Sequence, residues 1–453
     1  MKKNNYQKRL LKAIPGGAHT YSRGYDQYPS NAPEILTHGK GAYVFDSSGN
    51  KFLDYGMALR AINIGYSEKI IDNAAIEHIK KGNNLTRPSL VELEAAELLI
   101  NTIDSVDMVK FTKNGSTAVS AAVKLARAHT GKELVARCRQ HPFFSYDDWF
   151  IGSTSITKGI PKSTIKLTKF FDFNNIESLK KLVSDNPNKI ACVVLEPATS
   201  ICPFQNQNCN DNCICSPLTK TKNKHNFLKE VQEICNKHNI VFILDEMITG
   251  FRWHLKGAQY VYDVCPDIST FGKAMANGFS VACVAGKREI MQHGSIEFEN
   301  RERTFLLSTT HGAEMSSLAA FIQTINFLRE NDVIQHMWSY GDKLKNMINN
   351  IAYDLNIDDK FSVSGPSCSP VYDTKDNDLK NNLGYRTLFS QEMIKNNVLM
   401  PFITLCYRHQ EKELRITEKA IKKSLEIYKK ALDNSLSKFL RGNIIKPVFR
   451  KYN

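Results

Sequence analysis

Short continuous apolar runs alternate with amphipathic segments through the middle of the chain. Residues 191–195 and 239–244 are apolar runs with the length expected of buried parallel strands. Between them, residues 226–235 repeat apolar side chains at helical spacing. This order predicts a βαβ unit with a right-handed crossover.

The same alternation extends from about residue 90 to residue 310. Residues 108–111 read as a strand that leads into a helix over 118–129, and residues 267–271 read as a further short strand. Alternating strands and helices predict a large α/β domain with a mostly parallel central sheet.

The two ends of the chain follow other patterns. Residues 41–54 contain two apolar strands around a Ser-Gly-Asn turn, which predicts a hairpin. Helical periodicity begins again near residue 315 and returns over 418–432. We therefore expect a small α+β domain built from both chain ends, with 1–60 in the N-terminal part, 61–315 in the large domain and 316–453 in the C-terminal part.

Length and composition are those of an ordinary globular enzyme rather than a membrane or secreted protein. The 453 residues are too many for one core, and 42% are hydrophobic and 23% charged. No apolar run is long enough to cross a bilayer, and no apolar stretch follows the basic start. We therefore expect a cytoplasmic protein with no membrane association.

The formal net charge of +14 raises the alternative of nucleic-acid binding. The lysines are spread along the whole chain, however, and no basic-aromatic repeat or nucleic-acid motif accompanies them. A lysine-rich, solvated surface explains the charge, and we expect a small-molecule substrate instead of a nucleic acid.

Two residues with chemical potential follow strands of the predicted sheet. Asp245 ends the apolar run 239–244, and Lys273 comes after the strand at 267–271, directly beside a glycine. Ligands of open α/β sheets bind at the carboxyl ends of the strands, so the two side chains are expected to face one pocket. Each alone has a simpler explanation, as a helix cap or a surface lysine.

A third feature is the segment Gly115, Ser116 and Thr117, which opens the predicted helix after the first strand. Backbone N–H groups and hydroxyls at a helix N-terminus bind phosphate, although the same residues also serve as plain caps. A lysine, an acid and a phosphate site are together what pyridoxal 5′-phosphate (PLP) requires of a protein.

Two blocks carry a resemblance to a known family. Residues 244–252, LDEMITGFR, and 266–273, PDISTFGK, resemble the most specific motifs of the class-III, fold-type I PLP aminotransferases. Nearly the whole chain is similar to this family, and most of all to the glutamate-1-semialdehyde 2,1-aminomutases. The resemblance implies that Lys273 holds PLP as a Schiff base and that Asp245 pairs with the pyridinium nitrogen.

Other cofactor residues follow from the resemblance as well. Residues 111–118 resemble the phosphate loop of the family, which assigns the phosphate to Gly115, Ser116 and Thr117. Glu196, in the LEP segment 194–197, is expected near the cofactor ring. Thr309 lies in a segment similar to the loop that reaches the phosphate of the partner subunit, and Thr310 is the alternative there. This resemblance implies a homodimer with shared active sites.

At the positions expected to contact the substrate and the cofactor ring, the chain matches the family in one segment and departs from it in two others. Residues 16–23 resemble an aminomutase segment whose arginine holds the substrate carboxylate, so Arg23 is the candidate. The family's Tyr-His-Gly over the cofactor ring is absent, and Phe143 or Phe144 is expected to stack there instead. Residues 400–409 stand where the aminomutases have a segment with a gating acid.

Four cysteines, Cys202, Cys209, Cys213 and Cys215, cluster in a segment over about 201–224 that reads as an insertion. Four thiolates are able to bind structural zinc, but their spacing is not the paired C-x2-C of common zinc modules. A zinc site and a polar insertion with reduced thiols both remain open.

The function expected from these features is PLP-dependent transfer of an amino group, with Lys273 as the base that moves the proton. Similarity to the aminomutases implies glutamate-1-semialdehyde as the substrate. The alternative is a two-substrate aminotransferase that acts on a sugar-derived or other small carbonyl compound.

Overall fold

A computed structural model of the chain describes residues 5–198, 201–204, 226–300, 302–312 and 314–453. The chain forms two compact units. The first combines Met1–Glu68 with Gln335–Asn453, and the second is Lys69–Ile334. An α/β unit from the middle of the chain and a smaller one from both ends agree with the predicted fold class.

The strands of the described residues are β1 (Leu36–Lys40), β2 (Tyr43–Asp46), β3 (Lys51–Asp54), β4 (Met108–Thr112), β5 (Leu134–Cys138), β6 (Thr168–Phe171), β7 (Ile190–Leu195), β8 (Val241–Asp245), β9 (Ile268–Phe271), β10 (Ala282–Gly286), β11 (Phe361–Ser364), β12 (Val371–Thr374) and β13 (Val398–Leu399).

The helices of the same residues are α1 (Tyr6–Ala13), α2 (Met57–Arg60), α3 (Lys69–Ile79), α4 (Leu90–Thr102), α5 (Gly115–Thr130), α6 (Asp148–Ile151), α7 (Lys162–Lys166), α8 (Ile176–Asp185), α9 (Phe227–His238), α10 (Gly257–Val261), α11 (Arg288–Met291), α12 (Met315–Glu330), α13 (Val333–Asp354), α14 (Leu383–Lys395) and α15 (Glu411–Asp433). None of them is long and apolar enough to span a bilayer.

The second unit is built on a seven-stranded sheet with the order β4-β10-β9-β8-β7-β5-β6. Strands β6, β5, β7, β8 and β9 run parallel, and β10 is antiparallel to both β9 and β4. The mostly parallel sheet predicted from the sequence is confirmed. Every residue of β7, β8 and β9 is buried, which explains why these strands are continuous apolar runs.

The predicted βαβ unit is formed by β7, α9 and β8. The side chain of Asn226 accepts a hydrogen bond from the backbone N–H of Leu228 and so caps the start of α9. The buried face of the helix includes Val231 and Cys235, one turn apart. Asn239 ends the helix in a left-handed conformation, so the strand begins at Val241 rather than at residue 239.

Helix α12 explains where the second unit ends. It contacts both α3 and α4, which keeps residues 315–330 with the middle of the chain. The unit boundaries therefore fall at 68/69 and 334/335, whereas the hydrophobic pattern placed them at 60/61 and 315/316. Periodicity alone cannot tell which neighbour a helix packs on.

The first unit contains a four-stranded sheet with the order β1-β2-β3-β13 and a separate β11-β12 hairpin. Strands β2 and β3 form the hairpin predicted at residues 41–54. Strand β13 adds in parallel to β3, so a segment near residue 398 completes a sheet that begins near residue 36. This pairing joins the two chain ends into one unit.

The turn α2 that follows β3 has the opposite hand to an ordinary helix. Its four residues have φ angles of 42°, 50°, 60° and 72°, and none is glycine. A left-handed turn of non-glycine residues costs about 1–2 kcal/mol per residue. The surrounding structure must therefore hold this turn in place.

Asp54 and Tyr66 provide that support. The Asp54 carboxylate accepts hydrogen bonds from the backbone N–H groups of Gly56 at 2.7 Å and Met57 at 3.0 Å. The Tyr66 hydroxyl donates to Asp54 at 2.6 Å and accepts from the N–H of Ala58 at 2.8 Å. The N–H groups at the start of the turn are thus satisfied by two buried or partly buried side chains.

The left-handed turn makes Ala58→Gly an unusually mild substitution. Glycine has no Cβ to oppose a positive φ, so we expect a free energy of unfolding within about 0.5 kcal/mol of the unmodified chain, or above it. Ala96, a partly buried alanine in the right-handed helix α4, is the matched control, and Ala96→Gly is expected to lose about 1 kcal/mol. Urea unfolding measures both; equal losses would contradict the strained turn.

Candidate active site

Asp245 is a buried carboxyl group at the carboxyl end of β8, 3% exposed. Its Oδ1 accepts hydrogen bonds from the backbone N–H of Met247 at 2.9 Å and from the hydroxyl of Thr270 at 3.1 Å. Thr270 belongs to the neighbouring strand β9 and pairs in register with Asp245. The acid is therefore held at the strand ends, where ligands of α/β sheets bind.

Burial is the main influence on the ionisation of Asp245. Removal from water raises the pKa of its carboxyl group from 3.8 to about 6, and the positive charge of Lys273 acts in the opposite direction together with the two hydrogen bonds. Lys273 is thus near enough to act electrostatically on Asp245, and the strands that precede the two residues, β9 and β8, are neighbours in the sheet.

Lys273 follows β9 and begins a short 3-10 helix, Lys273–Ala276. Its φ of 41° lies in the left-handed region, which long side chains rarely adopt. Such strain persists only where the surroundings enforce it, and it is most frequent at functional sites. The side chain is partly buried, between buried residues on both sides.

Packing leaves little room for a side chain at Gly272, the residue before Lys273. A Cβ on Gly272 would lie 2.7 Å from the sulfur of Met247, and a Cβ on Gly115 would lie 2.8 Å from the same atom. Met247 therefore fills the space between the loop of Lys273 and the start of α5, where it also packs with Ala118 and Ala282. Three segments of the site meet on this one side chain.

Gly115, Ser116 and Thr117, the residues predicted to bind phosphate, form the first turn of α5. Asn114 caps the helix, because its side chain accepts from the N–H of Thr117 at 2.9 Å and from its hydroxyl at 3.0 Å. Ser116 is buried and accepts from the N–H of Tyr146 at 3.2 Å. The Tyr146 hydroxyl lies 3.3 Å from that of Thr117. Free N–H groups and partial positive charge are typical of such a terminus.

The two candidate aromatic residues differ sharply in exposure. Phe144 is 2% exposed and makes edge contacts with His141 and Phe150. Phe143 is 46% exposed and touches Phe150 with one edge at a centroid distance of 5.7 Å. Phe144 therefore belongs to the core of the unit, and Phe143 has an accessible ring.

Glu196 follows β7 directly and is 4% exposed. Its backbone N–H donates to Nδ1 of His141 at 3.0 Å. Burial and the charge of Arg137 lower the pKa of His141 to about 3, so its ring is neutral at physiological pH. A neutral His141 accepts at Nδ1 and thereby links the loop after β5 to the end of β7.

Thr309 lies in an exposed loop before α12. Its carbonyl accepts from the N–H of Gly312 at 3.1 Å, and its hydroxyl occupies the position that a Cβ on Gly312 would need. Beyond the loop, Glu314 pairs with Lys113 at 2.5 Å, one residue before the cap of α5. This ion pair connects the segment after the Thr309 loop to the residue before the cap of α5.

Arg23 lies in the first unit, at the end of the 3-10 helix Tyr21–Arg23, and is exposed. Its charge lowers the pKa of the Tyr28 phenol, which burial and then Asp54 raise to about 12. This places Arg23 in the electrostatic environment of Tyr28 and Asp54.

The cysteine cluster cannot be traced as a site. Cys209, Cys213 and Cys215 lie outside the described residues, and Cys202 is 2% exposed and engaged in a disulfide. A sulfur in a disulfide is not a thiolate ligand. Within the described part of the chain, no group of three or more His, Cys, Asp or Glu residues is arranged to hold a metal ion.

Glu246 is a buried residue that the sequence analysis did not single out, although it stands beside Asp245. Its carboxylate accepts from the backbone N–H groups of Ala258 at 2.9 Å and Gln259 at 2.8 Å, and from the hydroxyl of Thr249. These bonds fold the segment after β8 back on itself. The roles of Glu246, Met247 and Thr270 depend on tertiary contacts that a sequence pattern does not show.

Comparison with known families is consistent with this arrangement. The model of the class-III aminotransferases matches residues 25–202 and 220–363. The chain belongs to this family. The match passes over residues 203–219, which contain Cys209, Cys213 and Cys215, as expected for an insertion.

Individual relatives agree on amino-group transfer. A 3-aminobutyryl-CoA aminotransferase of Cloacimonas acidaminovorans is 30% identical over 92% of this chain and 95% of its own length. A glutamate-1-semialdehyde 2,1-aminomutase of Methanosphaera stadtmanae is 32% identical over 80% of this chain and 81% of its own. The predicted enzyme class, an aminotransferase or aminomutase, is confirmed.

Solved structures support the fold. The PLP internal aldimine form of the FumI protein from Sphingopyxis sp. MTA144 has a TM-score of 0.81 to this chain. The two are 20% identical, and the alignment covers 94% of this chain and 96% of that protein. The fold is that of the PLP transaminases, as the sequence predicted.

Because the pKa of Asp245 is raised by folding, the free energy of unfolding of the cofactor-free protein should depend on pH. The folded chain holds this proton more tightly than the unfolded chain, so stability falls as pH rises from about 4 to about 6 and stays lower above that. Each unit of pKa shift corresponds to about 1.4 kcal/mol, so above pH 6 the free energy of unfolding should be lower by ~3 kcal/mol than at pH 4. Asp245→Asn keeps the acceptor oxygen and should recover most of it at pH 8 and none near pH 4.

Urea unfolding of the cofactor-free variants at both pH values measures this effect. Asp104→Asn is the control, because Asp104 is an exposed acid that pairs with Lys256 at the surface, and its loss should change stability by less than about 1 kcal/mol. If Asp245→Asn is no more stable than the unmodified chain at pH 8, then burial does not disfavour the charged form of Asp245.

Proposed function

We propose that this chain binds PLP and transfers amino groups in the manner of the glutamate-1-semialdehyde 2,1-aminomutases. The observation that carries the proposal is the buried carboxyl group of Asp245 under the influence of the Lys273 charge, at the ends of adjacent parallel strands. Family membership gives this pair its chemical meaning.

The residues of the second unit fit the cofactor. PLP, when bound, supplies an electron sink that stabilises negative charge on the substrate carbon. Asp245 is an acid held away from water, and a bound cation beside it would favour its charged form. The N-terminus of α5, with Gly115, Ser116 and Thr117, offers N–H groups and hydroxyls to a phosphate. Phe143 has the accessible ring that stacking requires.

Further roles in the proposal concern the proton, the ring and the partner subunit. Lys273 takes the proton from the substrate carbon and returns it at the new position. Glu196 stands near the cofactor ring, at the carboxyl end of the strand next to that of Asp245. Thr309 extends from an exposed loop toward a second subunit of a homodimer. Arg23 holds the substrate carboxylate through its guanidinium group.

A second candidate is a two-substrate aminotransferase. It is favoured by the similarity to a 3-aminobutyryl-CoA aminotransferase over almost the full chain. It is also favoured by residues 400–409, which contain no carboxylate where the aminomutases have a gating acid. The substrate of this alternative is a small carbonyl compound, such as a sugar derivative, with a separate amino donor.

One experiment separates these possibilities. PLP-loaded protein is mixed with glutamate-1-semialdehyde in a single turnover, and 5-aminolevulinate is measured. Product without any second substrate supports the aminomutase. No product, but conversion of the cofactor to its amine form by a donor such as glutamate, supports the two-substrate enzyme.

Lys273→Ala tests the cofactor assignment in the same samples. Without the amine of Lys273, we expect loss of the visible absorbance band, no attachment of cofactor to protein after borohydride, and a rate at least about 100-fold lower. Lys287→Ala, a partly exposed lysine of the same unit, is the control and should keep all three properties. A Lys273→Ala protein that still fixes cofactor with borohydride would disprove the assignment.

Phe143 and Phe144 form a natural pair of variants. Phe144→Ala should lose about 3–5 kcal/mol of stability because the ring is buried, whereas Phe143→Ala should lose much less. If Phe143 stacks on the cofactor, its loss should weaken PLP binding, with about 0.5–1.5 kcal/mol from the ring contact. PLP titration followed by absorbance measures this, and unchanged affinity in Phe143→Ala would contradict stacking.

A further inference from the structure

After α15 the chain returns to the N-terminal part of the first unit. Residues 439–450, here called the strap, contain no helix or strand, and none of residues 433–453, all of which the structure describes, is buried. The strap nevertheless has a defined course, because hydrogen bonds hold its backbone along most of its length. It therefore binds to the surface of the unit without adding to its core.

One side of the strap is held by a face of α14. Thr387 and Gln391 lie one turn apart on this helix, and both are 0% exposed. The side chain of Gln391 donates to the carbonyl of Phe439 at 3.0 Å and accepts from the N–H of Arg441 at 2.7 Å. The Thr387 hydroxyl accepts from the N–H of Ile445 at 3.0 Å. Two buried side chains of α14 thus bond peptide groups of the strap.

The segment before β1 holds the other side of the strap. The N–H of Lys446 donates to the carbonyl of Asp26 at 2.9 Å, and the side chain of Gln27 donates to the carbonyl of Lys446 at 2.9 Å. The Ser30 hydroxyl donates to the carbonyl of Arg441. Two separate parts of the chain therefore bond the backbone of the strap. Hydrogen bonds to main-chain groups are the usual means by which proteins bind extended peptides.

Two side-chain features fix the register of the strap. Gly442 has a φ of 85°, and a Cβ at this position would lie 2.7 Å from the Cβ of Ser30. A residue other than glycine would therefore be strained and would also be pushed away from the segment before β1. Arg450 forms an ion pair with Asp26 at 2.6 Å, with the two side chains 23% and 21% exposed. The strap is thus recognised by its sequence as well as by its backbone.

We propose that α14 and residues 26–30 form a binding surface for an extended peptide, and that the strap of the same chain is its ligand. The strap opens and closes without unfolding of the core, because it contributes no buried residue of its own. Residues 26–30 depend on the closed strap for part of their hydrogen bonding, so opening releases them as well. The inference goes beyond the proposed function and does not depend on it.

Hydrogen exchange on the full-length, PLP-loaded protein tests whether the strap opens by itself. In the unmodified protein, residues 439–450 should exchange at least about 100-fold faster than α14, whose residues are mostly buried. Gly442→Ala should accelerate exchange in the strap and over residues 24–32 by about 10-fold, and should leave α12 of the second unit unchanged. Exchange of the strap and of α14 at the same rate would overturn the inference.

Gly49→Ala is the matched control for Gly442→Ala. Gly49 lies in the same unit with a φ of 82°, but a Cβ there would meet nothing within 4 Å. The backbone strain is therefore similar in the two variants, and only Gly442→Ala adds a collision with the binding surface of the strap. Exchange in the strap should be unchanged in Gly49→Ala. Equal acceleration by both variants would reveal a general loss of stability and would count against a separate opening of the strap.

Binding of a separate peptide tests the surface directly. A full-length variant with Gly442→Ala and Arg450→Glu has a weakened strap, whereas every residue of the binding surface is unchanged. Fluorescence anisotropy measures its affinity for a labelled peptide with the native sequence of residues 439–450. We expect binding, at least about 10-fold tighter than to the unmodified protein, where the chain's own strap competes at an effective concentration of about 1 mM. A variant that does not bind the peptide would disprove the proposed surface.

A charge reversal tests the register of the bound strap. A peptide with Arg450→Glu should bind the weakened-strap variant about fivefold less tightly than the native peptide, and Asp26→Lys in that variant should restore its affinity. The unfolding midpoint should stay nearly constant in all these variants, since the strap contributes no buried residue. Equal affinity for both peptides, with and without Asp26→Lys, would contradict the pairing of Arg450 with Asp26 and with it the register.

Discussion

A carboxyl group kept away from water at the end of β8 is the constraint on which the candidate site depends. An isolated buried charge would be prohibitively costly, so Asp245 must be protonated or compensated. Its compensation comes from the charge of Lys273 and from hydrogen bonds of Met247 and Thr270. Because Met247 follows β8 whereas Thr270 lies in β9 and Lys273 follows it, the register between β8 and β9 fixes the geometry of the site.

Close packing carries this constraint to the third part of the site. Met247 fills the space between Gly115 and Gly272, and a Cβ at either glycine would displace its side chain. The segment that bonds Asp245 therefore also sets the separation between the lysine loop and the N-terminus of α5. A cofactor that touches all three segments would meet a pocket whose parts are already positioned relative to one another, which lowers the entropic cost of binding.

Much of this was predictable from the sequence, for identifiable reasons. The parallel strands are buried on both faces and so stand out as apolar runs, and Asp245 and Lys273 lie in motifs of high specificity. What escaped prediction depends on tertiary neighbours. The sequence offers Phe143 and Phe144 as equivalent rings, and only packing against His141 separates the core residue from the accessible one. The unit boundary near residue 334 likewise depends on where α12 packs.

The left-handed turn shows the limit of sequence patterns most clearly. Four consecutive residues without glycine give no signal for positive φ angles, and local propensity favours other conformations. The turn exists because Asp54 and Tyr66 satisfy its N–H groups, contacts formed only in the folded unit. Strain of this kind persists only where the surrounding structure enforces it, so the hand of this turn depends on Asp54 and Tyr66 staying in place.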